Sequence, residues 1–205
     1  AEAAPPAHRP TFVYLAFQNI HSPYTGEARY RRPYEADAGL TDDERTMFGY
    51  VSEMDSVVGD VVAAMAAARR LAHGLVVFTS DNGAPNAEGV RDRNWPWRGF
   101  KTHIWEGGTR VAGFVHAPSL LPAAVSGTRS EQLFHVTDWL PTLVQLVAPA
   151  VPLPPRLSGH DIWGALAGTE LSPRTELLYN INPLCGSGQA AAPKAALRRG
   201  RWKLM

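Results

Sequence analysis

Two polar clusters follow apolar runs in the sequence, and their side chains are of types that bind ions or transfer protons. Asp81 and Asn82 come directly after the apolar residues 75–80, and His21 lies shortly after residues 11–17. A carboxylate beside an amide oxygen suits a hard cation such as calcium or magnesium. The alternative for Asp81 and Asn82 is a plain loop, because the Asn-Gly that ends this cluster favours tight turns.

Lys101 is a candidate residue for binding an anion. It lies two positions after Gly99, with aromatic residues on both sides. Lysine offers a compact positive charge, and glycine lets a backbone approach a ligand closely. The alternative is a surface lysine whose stem covers apolar surface. His21 is likewise either a proton donor or a structural or solvated loop histidine.

Three further residues of reactive or charged types have simpler interpretations. Glu106 and Arg110 can form a structural ion pair. Cys185 is the single cysteine, so an internal disulfide and a cysteine-rich zinc site are excluded. A cysteine nucleophile needs a base and an orienting group, so we expect a passive thiol or one paired outside this chain.

Composition excludes several classes of protein. The 205 residues are 45% apolar and carry a net charge of +1. This argues against binding nucleic acid by phosphate neutralisation and against disorder. No apolar run reaches the roughly 18 residues of a membrane span, and residues 1–10 do not resemble a signal peptide. Both ends look cut, so we expect a piece of a longer protein.

The elements that position these residues follow an α/β pattern. Residues 11–17, 75–80 and 110–116 are predicted strands of a parallel sheet, because they are apolar runs separated by a helix and a long loop. Residues 176–182 and 195–204 are predicted strands, the latter turning at Arg199-Gly200.

Predicted helices separate these strands. Thr41 and Glu44 form a capping box before a long helix, which Gly74 is predicted to cap. The inward face of this helix is predicted to hold Met47, Tyr50, Val51, Met54, Val57, Val58, Val61, Val62 and Met65. A second helix covers residues 137–147, with Pro141 in its first turn. The residues of this helix that we expect to point inward are Leu140, Leu143, Val144 and Val147. Residues 161–166 form a helical turn or two.

The motifs together resemble the sulfatase family of the alkaline-phosphatase-like superfamily, closest to animal arylsulfatase B-like (N-acetylgalactosamine-4-sulfatase-like) enzymes. The resemblance runs in order through FVYLAFQNIHSPY, VSEMDSVVGDVV, VVFTSDNGAPNAEGVRDRNWPWRGFKTHIWEGGTRVAGFV, HVTDWLPTLVQL, LLYNINP and LRRGRWKL. It implies the C-terminal half of a mixed sheet sandwiched by helices, plus the start of a small α+β domain. Residues 1–170 would be the second half of the catalytic domain, and residues 171–205 the beginning of the smaller one.

The resemblance also implies roles for individual residues. Asp81 and Asn82 match a pair that supplies half of a calcium site. Lys101 matches a lysine that contacts the sulfate and the bridging oxygen. His21 matches a histidine that contacts substrate and protonates the leaving group. The signature Cys-x-Pro-x-Arg, whose cysteine becomes formylglycine, does not occur in the chain.

The expected function is therefore that of a fragment of a calcium-dependent arylsulfatase-type hydrolase. The substrate would be a sulfated small molecule or glycan, such as a glycosaminoglycan, and the location would be the lysosome or the secretory pathway. We expect no nucleic-acid partner, no membrane span and no activity of the chain alone. Two alternatives stay open: a non-catalytic truncated product that binds a partner, and a related phosphodiester or phosphonate hydrolase.

Overall fold

A computed structural model describes residues 11–86, 90–91, 93–179, 181 and 195–205. The chain divides into two units, residues 1–61 with 88–90 and residues 62–87 with 91–205. Cys185 lies outside the described residues, so its expected passive role is not tested.

The first unit is organised around the start of a long helix. A short helix, α1 (Ala28–Arg31), and a 3-10 turn, Arg32–Tyr34, precede α2 (Asp42–Ala67). The predicted capping box is confirmed. The Thr41 amide donates to Glu44 Oε2 at 2.9 Å, and the Glu44 amide donates to Thr41 Oγ1 at 3.1 Å. Of the predicted inward face of α2, only Met47 is fully buried, whereas Val57 and Val61 are exposed.

The end of α2 differs from the sequence prediction. Arg69 adopts a left-handed conformation with φ of 55°. Its amide donates to the Ala66 carbonyl at 2.9 Å, and the Arg70 amide donates to the Met65 carbonyl at 2.8 Å. These two bonds form a Schellman cap, so the prediction of Gly74 as the cap was wrong. Gly74 has a different role, because a Cβ there would lie 2.8 Å from the Arg70 carbonyl oxygen.

Residues 11–17 do not form the predicted strand. The run has no regular secondary structure, and Phe12, Val13 and Tyr14 are 77%, 73% and 83% exposed. A strand is stabilised by the ladder it makes with its neighbours, and no described segment pairs with this run. Residues 11–17 therefore have the composition of a buried strand, but the described part of the chain provides no neighbouring strand for them to pair with.

The second unit begins with a two-stranded sheet. β1 (Val76–Thr79) pairs with β2 (Gly113–His116), and Val76 lies opposite His116. The rings of Phe78 and Phe114 stack across the pair with centroids 5.1 Å apart. The pairing is antiparallel, so the predicted parallel arrangement was wrong for these strands. A parallel pair needs a crossover, usually a helix. Among the described residues between these strands, the only helix is the short α3 (Glu106–Thr109).

Two more helices follow β2, after a 3-10 turn at Ala123–Val125. A 3-10 turn, Val136–Asp138, runs into α4 (Trp139–Val147), and α5 (Trp163–Leu166) comes next. The predicted inward face of α4 was partly wrong, because Leu140 and Val147 are 52% and 73% exposed. The buried face instead contains Pro141 and Thr142. The Thr142 hydroxyl accepts the Ile162 amide at 3.0 Å, so a polar contact rather than the apolar stripe orients the helix.

The C-terminal part of the second unit is a three-stranded antiparallel sheet. β3 (Glu176–Leu178) pairs with β4 (Leu197–Arg199), which pairs with β5 (Trp202–Leu204). The predicted hairpin turn is confirmed, with Gly200 at a φ of 55°. The described elements form a mixed α/β arrangement, as predicted. Within them, no helix is long and apolar enough to cross a bilayer.

Candidate functional site

Asp81 and Asn82 lie in a short turn at the end of β1. The Asn82 amide donates to Asp81 Oδ1 at 2.7 Å, and Asn82 Nδ2 donates to the Gly83 carbonyl at 2.9 Å. The Ser80 hydroxyl donates to the Asn82 carbonyl at 3.1 Å. These bonds leave Asp81 Oδ2 and Asn82 Oδ1 without a hydrogen bond from any described residue. The turn therefore presents two oxygen atoms of the kind that calcium binds.

Glycine contacts hold this turn against α3. The Gly83 amide donates to the Gly108 carbonyl at 3.1 Å. A Cβ on Gly83 would lie 1.7 Å from the Gly107 oxygen, and one on Gly107 would lie 2.0 Å from the Gly99 oxygen. A Cβ on Gly108 would lie 2.2 Å from the His103 oxygen. Backbone thus packs on backbone with no space for a side chain, which fixes the loop positions closely.

The side chain of Asn94 connects the turn to the loop that carries Lys101. Its Oδ1 accepts the Ala84 amide at 2.7 Å, and its Nδ2 donates to the carbonyls of Ala84 and Gly99 at 3.0 and 3.2 Å. The Lys101 amide donates to the same Ala84 carbonyl at 3.0 Å. The backbone at Ala84 therefore connects the turn of Asp81 and Asn82 to Lys101. No role was predicted for Asn94 from the sequence, in which it directly precedes Trp95-Pro96.

Two arginine–tryptophan pairs support the same loop. The Arg98 guanidinium lies 4.0 Å from the ring centroid of Trp105, and that of Arg110 lies 4.2 Å from the ring centroid of Trp97. Cation–π contacts of this kind contribute about 0.5–2 kcal/mol. They join residues before Lys101 to residues after it, so both ends of the loop are held.

The suggested ion pair between Glu106 and Arg110 was wrong. Arg110 lies just beyond α3 in extended backbone and pairs with Glu131 at 3.1 Å. Glu106 instead pairs with Lys203 at 3.1 Å and with Arg198 at 3.2 Å. A four-residue helix is too short to align the side chains of Glu106 and Arg110 along one face.

The surroundings of Glu106 are half-buried and mainly cationic. Lys203 Nζ also lies 3.4 Å from Thr109 Oγ1 and 3.8 Å from the ring centroid of Tyr179. Burial lowers the pKa of Lys203, although the Glu106 carboxylate opposes this effect. Burial and then Glu106 raise the pKa of Tyr179. The cluster joins α3 to the C-terminal sheet within the second unit.

His103 is a titratable group near Lys101 that the sequence analysis did not single out. Its ring centroid lies 3.9 Å from that of Phe100. Its Nδ1 is buried and has no hydrogen-bond partner in the described part of the chain. Thr102, between Lys101 and His103, has a φ of 80°.

His21 lies in the first unit, whereas Asp81, Asn82 and Lys101 lie in the second. Its side chain is exposed, and Nδ1 is 2.7 Å from the Ser22 carbonyl oxygen. Its amide donates to the Gln18 carbonyl at 3.0 Å. The structure thus brings together three of the four predicted site residues and describes His21 in a separate local turn.

A buried ion pair lies outside this site. Asp138 has no exposed surface, and both of its oxygens are bonded, to Arg174 and to the amides of His135 and His160. Burial alone would raise the pKa of the Asp138 carboxyl, but Arg174 and the two amides together hold it below its usual value. Burial, followed by the charge of Arg174, lowers the pKa of His135. Both Asp138 oxygens and the Nε and Nη2 atoms of Arg174 have hydrogen-bond partners, which indicates a structural role.

Two further observations limit the chemistry that the described residues can support. The described residues contain no group of three or more His, Cys, Asp or Glu side chains arranged for a metal ion. Calcium takes six to eight oxygen ligands, so Asp81 and Asn82 fit part of a site only. An open cleft of about 500 Å³, lined by residues that include Arg69, His73, His116 and Pro118, contains none of the predicted site residues.

Comparison with known families gives a match over most of the chain. The family model described as Sulfatase matches residues 1–149. Arylsulfatase J of Mus musculus is 34% identical over 209 residues, covering 96% of this chain and 34% of that protein. N-acetylgalactosamine-6-sulfatase of Canis lupus familiaris is 31% identical, covering 87% of this chain and 32% of that protein. The chain spans about a third of the length of these relatives.

Solved structures agree with the family match. The crystal structure of Ps i-CgsB superposes with a TM-score of 0.75 at 26% identity, covering 93% of this chain and 40% of that one. The same protein in complex with k-i-k-neocarrahexaose gives a TM-score of 0.73 at 25% identity, covering 90% of this chain and 38% of that one. The described elements therefore have the fold of that part of these proteins.

Proposed function

The chain belongs to the sulfatase family, and we propose that it forms part of the active site of a calcium-dependent sulfuric ester hydrolase. The observation that carries the proposal is the junction at Ala84. There, the turn of Asp81 and Asn82 and the backbone of Lys101 are held together by Asn94. This junction lies inside the segment that the sulfatase family model matches.

Asp81 and Asn82 would hold one side of the calcium ion. Support comes from their two oxygens that accept no hydrogen bond from the described residues, and from the rigid glycine contacts behind the turn. Bound calcium supplies positive charge that stabilises the sulfuryl oxygens. The remaining ligands would come from residues outside the pair, because two side chains cannot complete a calcium shell.

Lys101 would bind the sulfate as a second positive charge. Its backbone is fixed at Ala84, so the ammonium group extends from a rigid base. Such preorganised charge is most effective where negative charge develops during bond breaking. His21 would contact the substrate and donate a proton to the leaving oxygen. The family's nucleophile is a formylglycine, and the chain lacks the Cys-x-Pro-x-Arg motif from which it is made, so we expect no turnover by the chain alone.

The substrate class we propose is a sulfated glycan or a sulfated small molecule. One relative is named for the 6-sulfate of N-acetylgalactosamine, and one structural neighbour is a complex with a neocarrahexaose. We also propose a location in the lysosome or the secretory pathway, by analogy with the animal members of the family. Residues 171–205 would begin a second, smaller domain, in keeping with the antiparallel sheet of β3, β4 and β5.

Two other functions remain as alternatives, and the sequence preceding Ala1 in the encoding transcript separates them from our proposal. A Cys-x-Pro-x-Arg motif there supports the sulfatase. A serine or threonine nucleophile would instead indicate phosphodiester or phosphonate hydrolysis. A start codon next to Ala1 would indicate a truncated product that acts by binding.

Calcium binding by the 205-residue chain tests the metal assignment directly. With part of the ligand set, we expect a dissociation constant near ~10⁻³ M, the weak end of natural calcium sites. Asp81→Asn should abolish the calorimetric signal, whereas Asp161→Asn, a change at a carboxylate in another turn, should leave it unchanged. Micromolar binding, or binding that survives Asp81→Asn, would show that the ligands lie elsewhere.

A further inference from the structure

Trp95 is the most exposed tryptophan that the structure describes near the candidate site. Its side chain is 89% exposed, whereas Trp97, two positions further on, is 39% exposed and lies under the Arg110 guanidinium. The segment Trp95-Pro96-Trp97 therefore holds one ring that packs on the protein and one that does not. A single exposed apolar side chain is common on protein surfaces, so the location of Trp95 must carry the argument.

The backbone next to Trp95 is attached to the candidate site. Asn94, its immediate neighbour, bonds to both backbone groups of Ala84. Ala84 also accepts the Lys101 amide and follows the turn of Asp81 and Asn82 by two residues. The neighbour of Trp95 and the backbone of Lys101 therefore both bond to the same residue, Ala84.

The other side of the Trp95 loop is held as well. The Trp97 amide donates to the Asn94 carbonyl at 2.8 Å, which closes a turn around Trp95 and Pro96. Arg98 then packs over Trp105 at 4.0 Å. A ring presented by a fixed backbone loses little conformational freedom when it binds a ligand, so less of the contact energy is lost to ordering.

We propose that Trp95 is a subsite for the ring of the substrate, and that it stacks on the flat face of the sugar or aryl ring that bears the sulfate. An indole face is electron-rich, so it attracts the C–H groups on the flat face of a sugar and stacks in an offset arrangement on an aromatic ring. The inference rests on the proposed function, because it assigns the sulfate to Lys101. The two contacts can be tested separately, because Lys101 would recognise the charge of the sulfate and Trp95 would recognise the ring.

Titration of the 205-residue chain with four probes tests this division. The probes are N-acetylgalactosamine 6-sulfate, p-nitrophenyl sulfate and their unsulfated counterparts, N-acetylgalactosamine and p-nitrophenol, followed by chemical shifts. Trp95→Ala should weaken a sulfated probe and its unsulfated counterpart by the same factor, about three- to tenfold, the range of aromatic pair contacts. A loss confined to the sugar probes assigns the subsite to a sugar ring, and a loss confined to the aryl probes assigns it to an aryl ring.

Two matched variants complete the experiment. Trp202→Ala removes a ring that is 74% exposed in β5 and should change no affinity. Lys101→Ala should weaken only the sulfated probes. Unchanged affinity in Trp95→Ala, with an unaltered urea midpoint, would overturn the subsite, and so would the absence of binding by the unsubstituted chain. A loss in Trp95→Ala without any loss in Lys101→Ala would keep the ring subsite and refute the sulfate assignment.

Discussion

The Glu106 carboxylate lies 3.1 Å from Lys203 Nζ, across 97 positions of sequence. Glu106 begins α3, and Lys203 is the middle residue of β5. The Glu106 side chain is 25% exposed and the Lys203 side chain 12%. Because α3 also packs against Gly83 and Gly99, this contact ties the C-terminal sheet to the backbone that supports Asp81, Asn82 and Lys101.

We expect Glu106→Gln to destabilise the second unit. The change leaves Lys203 and Arg198 close together without their shared carboxylate, and loss of such hydrogen bonds to charged groups costs about 1.5–3 kcal/mol. Glu131→Gln is the matched control, because its pair with Arg110 is exposed and should contribute about 0–1 kcal/mol. Urea unfolding measures both. Equal losses in the two variants would show that the Glu106 contact is no stronger than a surface pair.

Gly83→Ala should disrupt the turn of Asp81 and Asn82. Its new methyl group would lie 1.7 Å from the Gly107 oxygen, so the backbone has to move. We expect lower thermal stability together with loss of the weak calcium signal. Gly59→Ala in α2 is the control, since no described atom beyond its own chain neighbours and the adjacent helix backbone lies within 4 Å of its Cβ position. It should raise stability by about 0.5–1 kcal/mol, the helix preference of alanine over glycine. A well-folded Gly83→Ala protein with normal calcium binding would contradict the packing described here.

Acid should weaken the fold in part through His135. Burial and Arg174 lower the pKa of His135 in the folded chain. Stability from its neutral form is therefore present above about pH 6.5, the ordinary histidine value, and is lost as the pH falls through the lowered folded pKa. His135→Asn retains a good N-cap residue and should flatten the pH dependence of the urea midpoint between pH 7.5 and 5. Identical slopes in His135→Asn and the unsubstituted protein would refute the assignment.

Asp138 should govern a second stage of acid unfolding. Its folded pKa is lowered by Arg174 and the amides of His160 and His135. The stabilisation it provides is present above about pH 4 and disappears as the pH falls through the folded value. At pH 7, Asp138→Asn should cost about 3–5 kcal/mol, because it leaves Arg174 buried without its counter-charge. Urea titrations at pH 7 measure this loss, and a change below about 1 kcal/mol would contradict a buried pair.

Lys101 is best tested in a complete enzyme that contains the nucleophile. Loss of one preorganised charge typically lowers kcat by ~10²–10³. Lys101→Ala should therefore reduce kcat strongly and leave calcium content and thermal stability nearly unchanged. Lys101→Arg should rescue only part of the activity, because a planar guanidinium does not replace a compact ammonium. Near-normal turnover with slightly lower stability would instead fit a surface lysine that covers apolar side chains.

Local signals in the sequence predicted local structure well. The capping box of Thr41 and Glu44 and the hairpin turn at Gly200 depend on residues only a few positions apart. The loop that carries Asp81 and Asn82 was likewise expected directly after an apolar run. Such features are decided by neighbours in the chain, so the sequence is sufficient to predict them.

Features that depend on distant partners were not predictable in the same way. The apolar run at residues 11–17 has the composition of a strand, but strand formation needs a neighbouring ladder. The buried face of Thr142 and the partners of Glu106 depend on segments that the pattern does not identify. The cap at Arg69 is local, but an arginine in the left-handed conformation gives no sequence signal comparable to that of a glycine. The clamp that Asn94 forms on the backbone of Ala84 was also missed, since an asparagine two positions before a proline also fits an ordinary loop.

The Asn94 clamp also bears on how the length of this loop can change. Asn94 closes the chain onto Ala84 with side-chain bonds to both backbone groups. The positions of the turn of Asp81 and Asn82 and of Lys101 then do not depend on how many residues connect Ala84 to Asn94. In general, doubling the length of a chain segment between two fixed ends costs only about 0.6 kcal/mol in closure entropy. Related proteins can therefore differ in the number of residues between positions 84 and 94 while the base of the site stays in place.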